Sequence, residues 1–94
     1  MLPMKVYYLC AISSTQIQLY DRQLRLLAEG DNKLSRLLTS PLTAATVSAR
    51  PATLTHAVYL TNTCQGQLIE LAHRQRWQFA QLAELDELLD RQLR

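Results

Sequence analysis

Residues 67–93, QLIELAHRQRWQFAQLAELDELLDRQL, hold the clearest hydrophobic pattern in the chain. A leucine-rich stretch ends near His73, and after a short polar break apolar residues recur from Trp77 to Leu93. Apolar residues at spacings of three and four are typical of an amphipathic helix. The pattern therefore predicts a helical hairpin, in which Trp77, the only tryptophan, anchors one helix against the other.

Two weaker helical patterns lie upstream of this stretch. Ser13 and Gln16 have the spacing of a capping box, and apolar residues then recur at helical spacing as far as Ala28. The leucines between Leu34 and Leu38 give a second, shorter segment an apolar face before the Ser-Pro sequence that follows. We predict one helix over the first segment and a brief helix over the second.

The remaining segments complete the predicted fold. Residues 52–73 repeat apolar side chains at helical spacing, which predicts a long helix. Residues 39–53 are rich in Ser, Thr, Ala and Pro and are predicted to be a connector. The sequence thus predicts an all-α fold, a small antiparallel bundle of three or four helices with a C-terminal helical hairpin, as a single domain over residues 1–94.

The N-terminal segment 1–12 is the least determined part of this prediction. Its apolar run from Val6 to Ile12 is far too short to span a bilayer. One lysine before the run is weak for a signal peptide. We expect the segment to be retained as a short strand, an extended arm or the start of the first helix, with a cleaved signal as the less favoured reading.

Charge and cysteine content narrow the functional classes. Ten Lys and Arg against eight Asp and Glu leave a net charge of +2, too small to indicate a nucleic-acid or membrane partner. Cys10 and Cys64 lie far apart and outside any metal-binding spacing. We expect both thiols to be reduced and structural, which fits a cytoplasmic protein without a metal site.

No recognisable catalytic motif occurs in the sequence. His56 has no acidic or thiol residue at helical spacing and lies seventeen residues from His73, so neither a metal site nor a catalytic triad is expected. There is neither a nucleophile elbow nor a glycine-rich phosphate loop. The acids Glu84, Glu87 and Asp90 fit a solvated helix face. We therefore expect a protein that is not an enzyme and has no cofactor.

The amphipathic leucine-rich segments favour protein–protein interaction, with a partner protein helix held in an apolar groove and self-association as a dimer left open. The alternative interpretation is that the apolar faces of these segments form only the protein's own core. The residues predicted to hold the hairpin or to line the partner-binding groove are Leu68, Leu71, Trp77, Leu82, Leu85, Leu88 and Leu89.

Two alternative functions stay open. Arg74 and Arg76 beside Trp77 form a small basic cluster next to an aromatic ring, as in a nucleic-acid-associated regulator. The segment that follows is acidic and would repel phosphate, so this alternative is unfavoured. A structural helical protein without a binding role is the other.

The C-terminal stretch also resembles the FliT family of flagellar export chaperones. The resemblance rests on the Leu71-Ala72 pair, a polar corner, Trp77, and the Leu and Glu residues that follow it. It implies a small cytoplasmic type III export chaperone that covers an apolar helix of its substrate. Two features depart from that family: Gln75-Arg76 stand where a Gly-Asp or Gly-Glu pair is usual, and the hairpin lies at the end of the chain.

Overall fold

Six antiparallel strands form one sheet in the computed structural model, which describes residues 4–13, 15–30, 33–39 and 53–93. The strand order across the sheet is β3-β2-β1-β4-β5-β6. The strands are β1 (Met4–Ser13), β2 (Gln16–Tyr20), β3 (Leu26–Gly30), β4 (His56–Thr61), β5 (Gly66–Glu70) and β6 (Gln75–Phe79). Helix α1 (Leu34–Thr39) follows β3, and helix α2 (Leu82–Leu93) follows β6.

The predicted all-α bundle is therefore wrong. Residues predicted as the first helix form β2, β3 and the turn between them, and those predicted as a long helix form β4 and β5. The helical hairpin over 67–93 is wrong in its first part, where β5 and β6 make a β-hairpin. The second helix, predicted to begin at Trp77, begins only at Leu82, because Trp77 belongs to β6. The brief helix after Lys33 is present as α1. Of the alternatives for segment 1–12, its described part belongs to strand β1, and residues 1–3 lie outside the described residues. Residues 40–52, which make up most of the predicted connector, lie outside the described residues.

Local sequence explains why the central strands form. β1 and β4 contain the runs Val6-Tyr7-Tyr8 and Val58-Tyr59, and β-branched and aromatic residues fit a pleated, half-buried surface. In β2 the sequence QIQLY alternates polar and apolar residues, which places Ile17 and Leu19 together on one face. Both side chains are almost fully buried. The apolar content of these segments is thus consistent with strands buried on one face.

One hydrophobic core joins the sheet to both helices. The helices contact each other, α1 contacts β3, and α2 contacts β6. Leucines Leu34, Leu85 and Leu89 from the helices are fully buried against the sheet. The sheet side chains of this core are Leu9, Ala11, Ile17, Leu19, Val58, Leu60, Leu68 and Phe79. Both helices therefore lie over the same face of the sheet.

The described residues form two βββα halves related by a pseudo-twofold axis. The first half carries the cross-strand pairs Leu9–Leu19 and Leu19–Ala28. Adding 49 to each number gives the second-half pairs Val58–Leu68 and Leu68–Trp77. The pairing of β1 with β4 maps onto itself when 49 is added to the β1 number and subtracted from the β4 number, since Leu9–His56 becomes Val58–Tyr7. The axis therefore passes between these two strands, perpendicular to the sheet.

Candidate binding pocket beneath the end of helix α2

A cavity of about 450 Å³ opens between the C-terminal end of α2 and one end of the strands of the sheet. At this end β4 begins, β5 ends and β6 begins, so residues that are distant in sequence meet there. Its volume falls within the range of about 300–1,000 Å³ typical of small-molecule sites. The lining residues are Ala11, Thr53, Leu54, Thr55, His56, Glu70, Ala72, Gln75, Trp77, Gln92 and Leu93.

The buried imidazole of His56 connects three elements at the inner wall. Its Nδ1 lies 2.8 Å from Thr55 Oγ1, and its Nε2 lies 2.7 Å from Gln92 Oε1 on α2. Thr55 Oγ1 in turn accepts a hydrogen bond of 2.9 Å from the backbone N–H of Ala11. In the neutral ring Nε2–H donates to Gln92 and Nδ1 accepts from the Thr55 hydroxyl, which also lies 3.3 Å from the backbone oxygen of Leu9. The hydrogen bonds of His56 and Thr55 therefore link β4 to α2 and to β1.

Burial also sets the charge of His56. Only 4% of the residue is exposed. Desolvation lowers the pKa of His56 below its ordinary value, although the hydrogen bond to Gln92 and the nearby charge of Glu70 act in the opposite direction. At neutral pH the ring is therefore uncharged, and it contributes no positive charge to the pocket.

Glu70 supplies the only carboxylate among the described residues that line the pocket. It pairs directly across the sheet with His56. Its Oε1 accepts a hydrogen bond of 3.0 Å from the backbone N–H of His73, and its Oε2 lies 2.7 Å from His73 Nδ1. These hydrogen bonds lower the pKa of Glu70 and raise the pKa of the exposed His73. Glu70 is thus a carboxylate at neutral pH, held in place by the turn that follows β5.

The apolar wall of the pocket consists mainly of the half-buried Trp77, with Leu54 and Leu93 nearby. Trp77 packs against the core on the face covered by the helices. Gln92 presents its Oε1 to His56, while its buried Nε2 has no hydrogen-bond partner among the described residues. The pocket therefore combines an aromatic surface, one carboxylate and polar groups whose positions are fixed.

The two halves differ at the positions that form this pocket. Under the pseudo-twofold relation, His56 corresponds to Tyr7 and Trp77 corresponds to Ala28. Glu70 corresponds to Asp21, which likewise accepts hydrogen bonds from backbone N–H groups of the turn that follows it. The turn-stabilising acid is thus common to both halves, whereas the buried histidine and the tryptophan belong to the second half alone.

Of the residues predicted to form a partner groove, Trp77 alone lines this pocket. Leu68, Leu85 and Leu89 are fully buried in the core. The half-buried members of the predicted set are Leu71, Leu82 and Leu88. A contact between any of these residues and a partner stays a prediction.

The predicted basic cluster occupies the hairpin between β5 and β6. Arg74 lies in the turn, where its φ of 57° is left-handed, and Arg76 lies on β6. Both residues are exposed, and neither lines the pocket. A nucleic-acid role for Arg74 and Arg76 stays a prediction.

Sequence reasoning missed His56, Glu70 and Gln92. His56 has no acidic neighbour at helical spacing, and its neighbours come instead from strand pairing and from the end of α2. The available signal was the short apolar run Ala57–Leu60 in β4, which contains β-branched Val58 and aromatic Tyr59 and is typical of a buried strand. A strand there would bring an acid from the next strand alongside His56.

The described residues contain no cluster of three or more His, Cys, Asp or Glu side chains suited to a metal ion. Their helices are also too short or too polar to cross a membrane. No protein-family model, curated protein or solved structure matches the chain. The resemblance to the FliT family therefore stays a prediction, and the helical hairpin that it implied is absent from residues 67–93.

Proposed function

We propose that this protein is a non-enzymatic binding protein and that the pocket beneath α2 is its ligand site. The observation that carries the proposal is the buried His56, which fixes the pocket wall through hydrogen bonds to Thr55 and Gln92. A mostly apolar cavity with a few fixed polar groups is the usual form of a ligand site. Support also comes from the difference between the halves, since His56 and Trp77 replace Tyr7 and Ala28.

The arrangement favours binding over catalysis. Both ring nitrogens of His56 already have hydrogen-bond partners, and the pKa of His56 is shifted by burial. Glu70 is engaged by His73. Neither group is left unpaired next to a nucleophile, as general acid–base catalysis would require. The polar groups are therefore better suited to orienting a ligand than to transferring a proton.

The occupant is either a free small molecule or a side chain of a protein partner. The second source would preserve the protein-interaction role predicted from the sequence, with this pocket as the contact site in place of a helical groove. The predicted cytoplasmic location is part of the same proposal, and its support is that Cys10 and Cys64 are both free thiols.

A fragment-binding experiment with a blocked pocket tests the proposal. Ala72 is exposed at the mouth of the pocket, so Ala72→Trp would fill the opening without disturbing the core. Small apolar fragments carrying one polar group should perturb the NMR signals of the pocket residues in the wild type and not in Ala72→Trp. Ala83→Trp, at an exposed position on α2 away from the pocket, is the matched control.

Two results would contradict the proposal. One is the absence of binding by any fragment of this kind. The other is binding that persists unchanged in Ala72→Trp, because the fragments would then occupy another part of the protein.

A further inference from the structure

We infer that the ligand of this pocket is an organic cation, an ammonium or guanidinium head on an apolar stem. The inference rests on the proposed function, because it assigns a chemical class to the ligand of the same site. Three features of the pocket favour a cation independently of one another: its net charge, its aromatic wall and the helix end above it.

The charge of the lining is negative. Glu70 contributes a carboxylate, and none of the described residues lining the pocket is Lys or Arg. His56 is neutral near pH 7 because its burial disfavours the charged ring. A cation in the cavity would therefore meet an opposite charge within a partly desolvated space, where electrostatic attraction exceeds its value in water.

Trp77 provides an aromatic surface for the same cation. The indole is half-buried and faces the cavity. The face of an indole attracts ammonium and guanidinium groups more strongly than other aromatic side chains do. The corresponding residue of the first half, Ala28, offers no such surface.

The end of α2 lies directly above the site. Gln92 and Leu93, which close the helix, both line the pocket. The last carbonyl groups of a helix carry a partial negative charge and favour nearby cations. Arg91 in the same turn is exposed and is absent from the pocket lining, so it does not occupy the site itself.

Two groups reduce the attraction. His73 interacts with Glu70 from the solvent side, and its raised pKa means that it gains a proton as the pH falls. Arg74 follows it in the turn and is exposed. Cation binding should therefore be stronger at about pH 8 than at about pH 6, because His73 loses its proton as the pH rises.

The experiment compares three probes of equal length: n-hexylamine, n-hexanol and n-hexanoate. Binding to the wild type is followed by the fluorescence of Trp77, the only tryptophan of the chain. Binding to Ala72→Trp, which adds a second tryptophan, is followed by the NMR signals of the pocket residues. Hexylamine should bind more tightly than hexanol by about threefold or more. Hexanoate should bind most weakly, and added salt should reduce the preference for the amine.

Glu70→Gln should remove most of the preference for the amine, because the amide keeps the hydrogen bonds of the turn but loses the charge. Asp21→Asn, at the equivalent turn of the first half, is the matched control and should leave the preference unchanged. The wild-type comparison of probes and salt tests the inference even where a variant folds poorly.

A peptide with one internal lysine, and the same peptide acetylated at Nζ, identify the source of the cation. Tighter binding of the unmodified peptide than of hexylamine supports a partner's side chain, and the reverse order supports a free amine.

Equal or tighter binding of hexanol or hexanoate, blocked by Ala72→Trp, would overturn the cation while leaving the proposed ligand site intact. Binding that is unchanged in Ala72→Trp, or no binding by any probe, would overturn both the cation and the proposed ligand site.

Discussion

Gly66 is the position where a single atom decides whether two strands can pair. A Cβ atom at this residue would lie 1.7 Å from the backbone oxygen of Tyr59 on β4. Backbone cannot move aside as a flexible side chain can. At Gly30 the nearest atom to such a Cβ is a side-chain methyl of Leu37, at 3.2 Å. The two glycines thus have different reasons to be small.

We expect Gly66→Ala to lower the free energy of unfolding by roughly 2 to 3 kcal/mol or to prevent folding, because the β4–β5 pair must separate. Gly30→Ala should cost less than about 1 kcal/mol, since the Leu37 side chain can shift. Urea denaturation measures both. Similar losses for the two variants would contradict the backbone clash at Gly66.

His56 should make stability depend on pH. Because its pKa in the folded protein is lowered by burial, the unfolded chain takes up a proton first as the pH falls through about 6.5. Stability should therefore fall between about pH 6.5 and pH 5, by at most about 1.4 kcal/mol per pH unit. The raised pKa of His73 acts with opposite sign, since its contribution is lost as the pH rises.

Urea denaturation of His56→Gln across that pH range should give a flatter profile than the wild type. His73→Gln is the control and should give a slope at least as steep as the wild type, because the opposing contribution of the raised His73 pKa is removed. A wild-type slope that survives in His56→Gln would assign the pH dependence to another group.

At the scale of elements, Asp86 connects the two helices. Its carboxylate on α2 accepts hydrogen bonds from the backbone N–H of Ser35 at 2.9 Å and from Ser35 Oγ at 2.5 Å. These contacts satisfy a donor in the first turn of the six-residue helix α1. A carboxylate from the other helix thus accepts a backbone N–H of the kind that an N-cap side chain usually accepts.

Asp86→Ala should lower the free energy of unfolding by about 1 to 2 kcal/mol, since a first-turn donor of α1 loses its partner. Asp86→Asn should lose less, because an amide retains one acceptor. Glu87→Ala, at the exposed neighbouring position, should change stability by no more than about 0.5 kcal/mol. Urea denaturation measures these changes. Equal effects of the two alanine substitutions would mean that the hydrogen bonds from Ser35 to Asp86 do not stabilise the fold.

The turns explain why the strands were mistaken for helices. Leu24, Cys64 and Arg74 adopt left-handed backbone angles, with φ of 64°, 62° and 57°. Such positions usually carry Gly or Asn, which are the residues that mark a turn in a sequence. Two of the three hairpins that contain these residues also place an acid, Asp21 or Glu70, where it accepts the backbone N–H groups of the turn. Because no glycine marks these turns, the apolar residues of neighbouring strands form a pattern that resembles one continuous helical stripe.

Ile17, Tyr20 and Leu27 show how that error arose. Their spacings fit a helical stripe, yet the alternation in QIQLY fits a strand equally well. Short apolar segments satisfy both periods, and strand pairing with β1 and β3 decided between them. By contrast α2, twelve residues long, was predictable because its leucines repeat over several turns.

At the scale of the whole molecule, the two halves share one core. Leu19 and its equivalent Leu68 are both fully buried in the same cluster, and β1 pairs with β4 across the axis between the halves. The halves should therefore unfold together rather than one after the other.

Leu19→Ala in the first half should lower the free energy of unfolding by about 2 to 5 kcal/mol, as should Leu68→Ala in the second. Urea unfolding followed by Trp77 fluorescence reports on the second half only. If the halves were independent, Leu19→Ala would leave the Trp77 transition in place while Leu68→Ala shifted it.

The sequence by itself determined the local features that depend on neighbouring residues. These are the helix α2, the brief helix α1, the mild net charge and the absence of a catalytic motif. Only the tertiary structure decided the sheet, because strand pairing joins residues such as Leu9 and His56 that are far apart in the chain. It also decided the pocket, whose carboxylate, imidazole and indole meet across three strands beneath α2. Trp77 forms part of the apolar wall of the pocket. It lies on the edge strand β6, so cross-strand hydrogen bonds and not helical spacing fix its position.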